Sequence, residues 1–216
     1  MKPSPVLLLP VSLICAALLS GCSRNMELAD GGVYTTRSAC PIVGIPAATG
    51  DITLFNPSNS RDASAIDVTA TITNVVASCD DTTGDQILSN VLFDVQAIRT
   101  DASQARQVVL PYFVVVLQGG SRVVSKQVGQ VGLNFAAGSL RAETRSQAVA
   151  RVSRSAATLP ANVRAILNQP RKAGDVSAAI DPLADPAVRT AVATATFEHL
   201  VGFQMSQDQL RYNATR

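Results

Sequence analysis

Alternation of apolar and polar residues is the feature that most constrains the fold of this chain. Over Ala65–Ser78, every second residue from Ile66 to Ile72 is apolar, and an aspartate or a threonine stands between them. Successive side chains of a β-strand point to opposite faces, so this period of two predicts a strand with one buried face. Ile87–Arg99 repeats the pattern. Its expected inward residues are Val91, Phe93, Val95 and Ala97, and its expected outward residues are Asp94 and Gln96.

Turn residues and further apolar runs extend this pattern. Val108–Leu117 is apolar and rich in β-branched residues, which predicts a central strand buried on both faces. A bulge or bend is expected at Pro111, because proline cannot donate a hydrogen bond to a sheet. Gly119-Gly120 then predicts a tight hairpin turn. Further predicted strands are Asp51–Phe55, Val123–Val131 and Gln147–Ser153. Short strands with turns at hairpin spacing predict a mainly β protein, an antiparallel immunoglobulin-like β-sandwich.

The last third of the chain carries helix signals. Thr158–Gln169 opens with a cap residue and a proline, which predicts a short helix, and Asp185–Ala195 predicts a second one. Thr196–Met205 alternates imperfectly and is predicted as a strand, with helix as the alternative throughout Asp185–Phe203. Ser206–Gln209 has the form of a capping box for a terminal helical turn. We therefore expect one or two short C-terminal helices beside the sandwich.

The first residues have the organisation of a secretion signal. Lys2 supplies a positive start, and Val6–Leu19 is an apolar run of 14 residues interrupted by Pro10 and Ser12. A membrane-spanning helix needs about 20 such residues, so this run is too short to cross a bilayer. Met1–Gly21 is therefore predicted to be a signal peptide.

The apolar run ends in Leu19-Ser20-Gly21-Cys22, which resembles the lipobox of bacterial lipoproteins. The resemblance implies that the Cys22 thiol receives a diacylglycerol, that cleavage follows Gly21, and that the new amine is acylated as well. Such acyl chains anchor a protein stably to a membrane. In these lipoproteins an aspartate after the cysteine retains the protein at the inner membrane, whereas this chain has Ser23. The resemblance therefore implies a lipid-anchored protein on the periplasmic side of the outer membrane, similar to proteobacterial envelope lipoproteins.

Cleavage would leave a lipid-anchored tether over residues 22–39, the predicted sandwich over 40–155 and an α/β segment over 156–216 that packs on it. Besides Cys22, the mature chain holds Cys40 and Cys79. The periplasm is oxidising, and an even pair of cysteines there most often forms a disulfide. The sequence thus predicts a bridge between Cys40 and Cys79, with two free buried thiols as the alternative.

Composition and motifs limit the binding and catalytic functions that this chain is expected to have. Lys and Arg number 18 against 16 Asp and Glu, a balance that argues against a nucleic-acid binder. The single histidine, His199, rules out a multi-histidine metal centre, and its neighbour Glu198 would point away from it in a strand. We interpret His199 as a packed or surface residue. Asp80–Asp85 lacks the alternating acids and terminal glutamate of a calcium loop and is expected to be a solvated turn. The sequence shows no nucleophile elbow or phosphate loop, so we expect no cofactor, metal or catalytic residue.

Charge is distributed unevenly along the chain. Residues 51–101 hold eight aspartates and two arginines, whereas residues 141–172 hold seven basic residues and one glutamate. One interpretation is that the two segments face each other or that their charges are dispersed. The other is a basic surface for anionic lipid headgroups, lipopolysaccharide or an acidic partner. The candidate residues for such a surface are Arg141, Arg145, Arg151 and Arg154.

The sequence therefore favours a non-enzymatic role. We expect a binding or scaffolding module in a cell-envelope complex, with the membrane reached through the lipid anchor and an envelope protein as partner. One alternative is an envelope hydrolase acting on peptidoglycan or polysaccharide, which would need a carboxylate pair or an activated nucleophile. Another is an accessory lipoprotein of a secretion or export apparatus.

Overall fold

The computed structural model describes residues 38–169, 174 and 179–215, so the predicted signal peptide, Cys22 and most of the tether lie outside the described residues. The described chain forms the strands β1 (Ile42–Gly44), β2 (Asp51–Phe55), β3 (Ile66–Asp80), β4 (Gln86–Arg99), β5 (Arg106–Gln118), β6 (Arg122–Phe135), β7 (Arg141–Ser153) and β8 (Phe197–Phe203). Its helices are α1 (Arg154–Ala157), α2 (Ala161–Leu167), α3 (Pro186–Thr194) and α4 (Gln207–Thr215).

The strands form two four-stranded sheets. The first sheet has the order β1-β8-β5-β6, and the second has the order β2-β3-β4-β7. Neighbouring strands are antiparallel except β1 and β8, which run parallel. The predicted mainly β sandwich is confirmed. β1 escapes prediction because three residues are too few to display a period of two.

The core lies between the sheets. The four inward residues predicted for Ile87–Arg99 are all buried, and Val68, Ala70 and Ile72 of β3 are buried beside them. The largest fully buried apolar side chains are Phe93, Phe135, Phe203, Ile52, Ile87, Leu110 and Leu133. Burying a side chain of this size contributes about 1.5–3 kcal/mol to folding, so this layer is the main source of stability.

β5 differs from the prediction in two ways. Its inward residues are buried, and on its other face Val115 is buried as well, but Val109 is 49% exposed, so the strand is buried on both sides over only part of its length. No bulge occurs at Pro111, which pairs in register with Gln130; the irregularity lies between Val116 and Leu117. The carbonyl of Pro111 accepts a hydrogen bond from the backbone N–H of Gln204, just beyond the end of β8. Proline lacks an N–H on the side that faces the chain beyond the end of β8. No strand of the described chain lies there to accept a hydrogen bond, so the sheet loses none.

A glycine and an aromatic ring make a close contact between β6 and β5. Gly129 pairs with Tyr112, and a Cβ atom on Gly129 would lie 2.5 Å from the ring carbon Cζ of Tyr112. The ring crosses Gly129, stacks edge-on against Phe93 at 5.4 Å, and its hydroxyl lies 3.4 Å from the carbonyl oxygen of Gln147 in β7. The glycine thus lets Tyr112 join the two sheets.

The C-terminal predictions agree with the structure. The Asp185 side chain accepts a hydrogen bond from the Ala187 N–H at 2.7 Å and caps α3, which ends at Thr194. The following residues form β8, so strand and not helix is correct there. The capping box is confirmed: Ser206 N–H donates to Gln209 Oε1, and Gln209 N–H donates to Ser206 Oγ. The predicted Thr158 helix is the shorter α2, and α1 precedes it.

The predicted disulfide is present. Cys40, just before β1, is bonded to Cys79, near the end of β3. Because β1 belongs to the first sheet and β3 to the second, the bond ties the two sheets together. The cross-link closes a segment with a sequence separation of 39 residues.

Candidate binding surface

Three of the four predicted arginines lie on the outer face of β7. Ala148, Ala150 and Val152 of this strand are buried, so the alternate residues Arg141, Arg145 and Arg151 point away from the core. β4 is the neighbouring strand, and its outward residues lie opposite them. We call the outer side of β3, β4 and β7 the arginine face.

Arg145 is paired within the fold. Its Nε and a second guanidinium nitrogen donate to the two carboxylate oxygens of Asp94, at 2.7 and 3.1 Å. Asn74 donates to the same carboxylate at 2.7 Å from a bulge in β3, where its φ of 49° is one that asparagine tolerates better than most residues. Asp94 points outward as predicted but is buried beneath these two side chains. The hydrogen bonds from Arg145, and then those from Asn74, lower the pKa of Asp94 to about 2.

Arg154 does not join this face, contrary to the prediction. Its guanidinium donates to the carbonyl oxygens of Asp81, Thr83 and Gly84 in the acidic turn between β3 and β4. Its backbone N–H also donates to the carbonyl of Asp85. The basic and acidic segments therefore meet at this point, and Arg154 holds the turn.

Arg141 and Arg151 are the other two predicted arginines, and both lie on the arginine face. Neither forms an ion pair with any residue in the part of the chain that the structure describes. They pair in register with Ile98 and Leu88 of β4, and ten residues of strand separate them, about 33 Å. The predicted basic surface is thus dispersed along one strand: two open charges at its ends and one neutralised charge between them.

An open groove lies at the Arg141 end. It has a volume of about 380 Å³, and its lining residues are Thr69, Thr71, Gln96, Ala97, Ile98, Arg141, Ala142 and Glu143. Hydroxyl, amide, cationic and anionic groups are all present, so the groove can exchange hydrogen bonds with a polar chain laid across the strands.

An apolar strip lies toward the Arg151 end. Val76 of β3 pairs directly with Leu92 of β4, and Leu88 lies on the same outer face. These side chains are 53%, 37% and 40% exposed. Apolar side chains grouped on an outer face, with arginine beside them, have the composition of a protein-binding surface.

The His199 side chain lies in the core, as one of the two interpretations of the sequence expected. Its Nδ1 is 2.9 Å from Oγ of Ser89, and both residues are buried. In this arrangement both groups are enclosed in the core and pack between the two sheets. Sequence alone does not reveal it, because Ser89 and His199 are 110 residues apart.

Other predicted features are placed as follows. The Asp80 carboxylate accepts hydrogen bonds from the N–H and hydroxyl of Thr82, which makes Asp80–Asp85 a side-chain-supported turn.

Among the described residues, no three His, Cys, Asp or Glu side chains converge as metal ligands. The described helices include none with the length and apolar character needed to cross a membrane. Arg171 and Lys172 of the basic segment lie outside the described residues.

Comparisons with known proteins return no match: no family model, no curated protein and no solved structure is similar to this chain at a significant level.

Proposed function

We propose that this protein is a lipid-anchored binding module of the bacterial cell envelope, on the periplasmic side of the outer membrane. In this proposal the arginine face recruits a partner protein. The observation that carries the binding role is the composition of that face, where the apolar strip Val76, Leu88 and Leu92 lies beside the unpaired Arg151, and the unpaired Arg141 lies at the other end of β7. Arginine is enriched at protein interfaces, and the buried centre of an interface is more apolar than the rest of a protein surface.

Two features of the chain support the proposed location in the cell envelope. Leu19-Ser20-Gly21-Cys22 closes a short apolar run as a lipobox does. The bond between Cys40 and Cys79 favours an oxidising compartment, since reduced conditions keep most thiols free. Both features support an envelope protein whose folded domain stands outside the cytoplasm.

The chemistry of the face defines the partner that fits it. A partner that covers the apolar strip would exclude water from it, and carboxylates of that partner beside the strip and at the far end of β7 would meet Arg151 and Arg141. Charges at the rim of an interface act mainly on association rate and on salt dependence. We therefore expect an acidic envelope protein whose capture weakens as salt rises.

Two experiments test the proposal separately. Metabolic labelling with palmitate is expected to mark the wild-type chain and to leave Cys22→Ala unlabelled and unprocessed. Labelling and processing unchanged in Cys22→Ala would contradict the anchor.

For the binding role, the full chain is cross-linked in its own cells and the captured proteins are identified by mass spectrometry. We expect Leu92→Asp and the double variant Arg141→Glu/Arg151→Glu to lose a partner that the wild type captures. Arg122→Glu, a matched charge reversal in the other sheet, is expected to keep it. A partner profile that is identical in all four proteins would overturn the assignment of this face.

A further inference from the structure

We infer that the outer face of the first sheet is a self-association surface, on which two copies of this chain pack sheet against sheet. This inference goes beyond the proposed function and does not depend on it, because it concerns the opposite side of the sandwich and needs no lipid anchor.

Three neighbouring rows on the outer face of the first sheet are mostly apolar. Register places Ile42, Leu117 and Val123 in one row across the strands, with Leu200 and Val115 in the next outward row and Phe113 and Val128 in the one after. Leu110, Val114 and Val116 of β5 point into the core, so these alternate residues point away from it. The sheet therefore has apolar side chains on both faces.

Much of this face is open. Ile42 is 61% exposed, and Val123 and Val128 are each 59% exposed. The outer face of a sandwich sheet normally carries polar residues, because half of each strand meets water. These exposed side chains lie on β1 and β6, the two edge strands of the sheet, whereas Val115 of the central β5 is 9% exposed. Exposed apolar side chains at both edges of one face are typical of a surface that another protein covers.

Two side chains of opposite charge lie on this outer face. Lys126 of β6 lies in the row of Val115, and Glu198 of β8 lies in the row of Leu117. The two residues stand on either side of β5, and neither forms an ion pair within the described chain. The Lys126 ammonium instead lies 5.8 Å from the centre of the Phe113 ring.

This arrangement is self-complementary. A two-fold axis parallel to β5, midway between two facing sheets, lays β6 of each copy over β8 of the other. Each Lys126 then lies above the partner's β8, about one outward residue along the strand from Glu198, within reach of its long side chain. Phe113 lies beside the axis next to Val115, which is itself only 9% exposed and adds little contact area, and both charge pairs form at once.

A second copy fits this face better than the other occupants do. An anionic lipid surface would repel Glu198, which lies within the apolar rows. Strand addition along β6 is opposed by Lys126, since a lysine on an edge strand discourages edge-to-edge pairing. The three strands that overlap lie about 4.8 Å apart and are about seven to nine residues long, which gives a footprint on the order of 330–430 Å² per copy. Two such footprints lie below the size of a standard specific interface, so we expect a weak dimer.

Sedimentation of the purified full chain in mild detergent, over about a hundredfold range of concentration, tests the inference. We expect a monomer–dimer equilibrium. Val128→Asp is expected to raise the dissociation constant at least about tenfold, because it buries an unpaired charge. Lys126→Glu and Glu198→Lys should each weaken the dimer, and the double variant Lys126→Glu/Glu198→Lys should restore it. Arg164→Glu, at an exposed position on α2 outside both proposed surfaces, serves as the matched control.

The outcomes separate the alternatives. If association survives every variant, the two copies either contact each other through another surface or only share one detergent micelle. Either result would contradict the inference. A monomer at all concentrations would overturn the inference directly. If Val128→Asp reduces binding to anionic vesicles and leaves the sedimentation of the chain unchanged, the face meets lipid and not a second copy. Thermal unfolding of each variant checks that the sandwich itself is intact.

Discussion

Oγ of Ser89 lies 2.9 Å from Nδ1 of His199, and this hydrogen bond crosses the core from one sheet to the other. Both side chains are buried, and Nε2 of His199 has no hydrogen-bond partner within the described part of the chain. A buried imidazole is held in its neutral form. Burial lowers the pKa of His199 below its ordinary value of 6.5. The pair therefore links the stability of the sandwich to pH.

Stability is expected to fall as the pH drops below about 6.5. The unfolded chain binds a proton on His199 in this range, whereas the folded chain does not, so acid favours unfolding. The free energy of unfolding should decrease by up to about 1.4 kcal/mol per pH unit until the folded-state pKa is reached. Urea denaturation from about pH 7.5 to pH 5 measures this slope.

The control uses the fact that the chain has a single histidine. His199→Phe removes the titrating group and should flatten the profile over the same range, whatever its effect on absolute stability. A wild-type profile that is already flat would show that the imidazole is not held neutral in the folded state.

Removal of the disulfide should destabilise the sandwich strongly. The bond between Cys40 and Cys79 closes a loop of about 40 residues, and the chain-entropy model assigns about 4 kcal/mol to such a loop. The double variant Cys40→Ser/Cys79→Ser should therefore unfold at much lower urea concentration than the wild type. Reductant should lower the midpoint of the wild type and leave that of the variant unchanged. Equal midpoints for oxidised and reduced wild type would contradict this prediction.

Gly129→Ala should destabilise the fold, because the new Cβ would lie 2.5 Å from the Tyr112 ring. Moving the ring would disturb its contact with Phe93, and overpacking of this kind costs about 1–3 kcal/mol. Gly132→Ala is the matched control on the same strand, since its nearest neighbour is the flexible Gln107 side chain at 3.3 Å. Thermal unfolding that ranks the two variants equally would show that Tyr112 does not need the glycine.

Arg99→Lys should be costly although it keeps the charge. Arg99 is 2% exposed, and its guanidinium donates to the carbonyls of Ser139, Gln104 and Ala136 while it lies 5.0 Å from the centre of the Phe135 ring. A lysine cannot reproduce this fork of three donors. We expect a loss of about 1.5–3 kcal/mol in the free energy of unfolding from urea denaturation. Arg141→Lys, at an exposed position, should change it by less than about 0.5 kcal/mol. Similar losses in both variants would refute a special role for Arg99.

Much of the fold was predictable because its signals are local. The alternation in Ile87–Arg99 depends on neighbouring residues only, and so do the glycine turn after β5 and the capping box at Ser206. The disulfide was predictable by counting, since removal of the signal peptide and lipidation of Cys22 would leave only Cys40 and Cys79.

The candidate site was predicted less well, because its properties depend on strand register. The sequence singled out four arginines as a group. Register then sets Arg145 opposite Asp94, 51 residues away, and brings Arg154 to the turn before β4. A one-residue slip of β7 would turn Arg145 into the core and remove the pair. Composition along a segment cannot reveal which of its charges are neutralised across strands.

Sequence by itself determined most of the long strands, the helices after Thr158, the main turns and which cysteines pair, because each of these depends on local periodicity, backbone preference or count. The tertiary structure decided where β1 and α1 form, which strands are neighbours, that β1 runs parallel to β8, and that Val109 on the outer side of β5 stays exposed while Val115 is buried. An apolar strand has the same sequence whether or not another element covers it. Exposure of Val109, Val123 and Val128 is therefore a property of the assembled sheets, since it depends on what lies over a face and not on the residues within it.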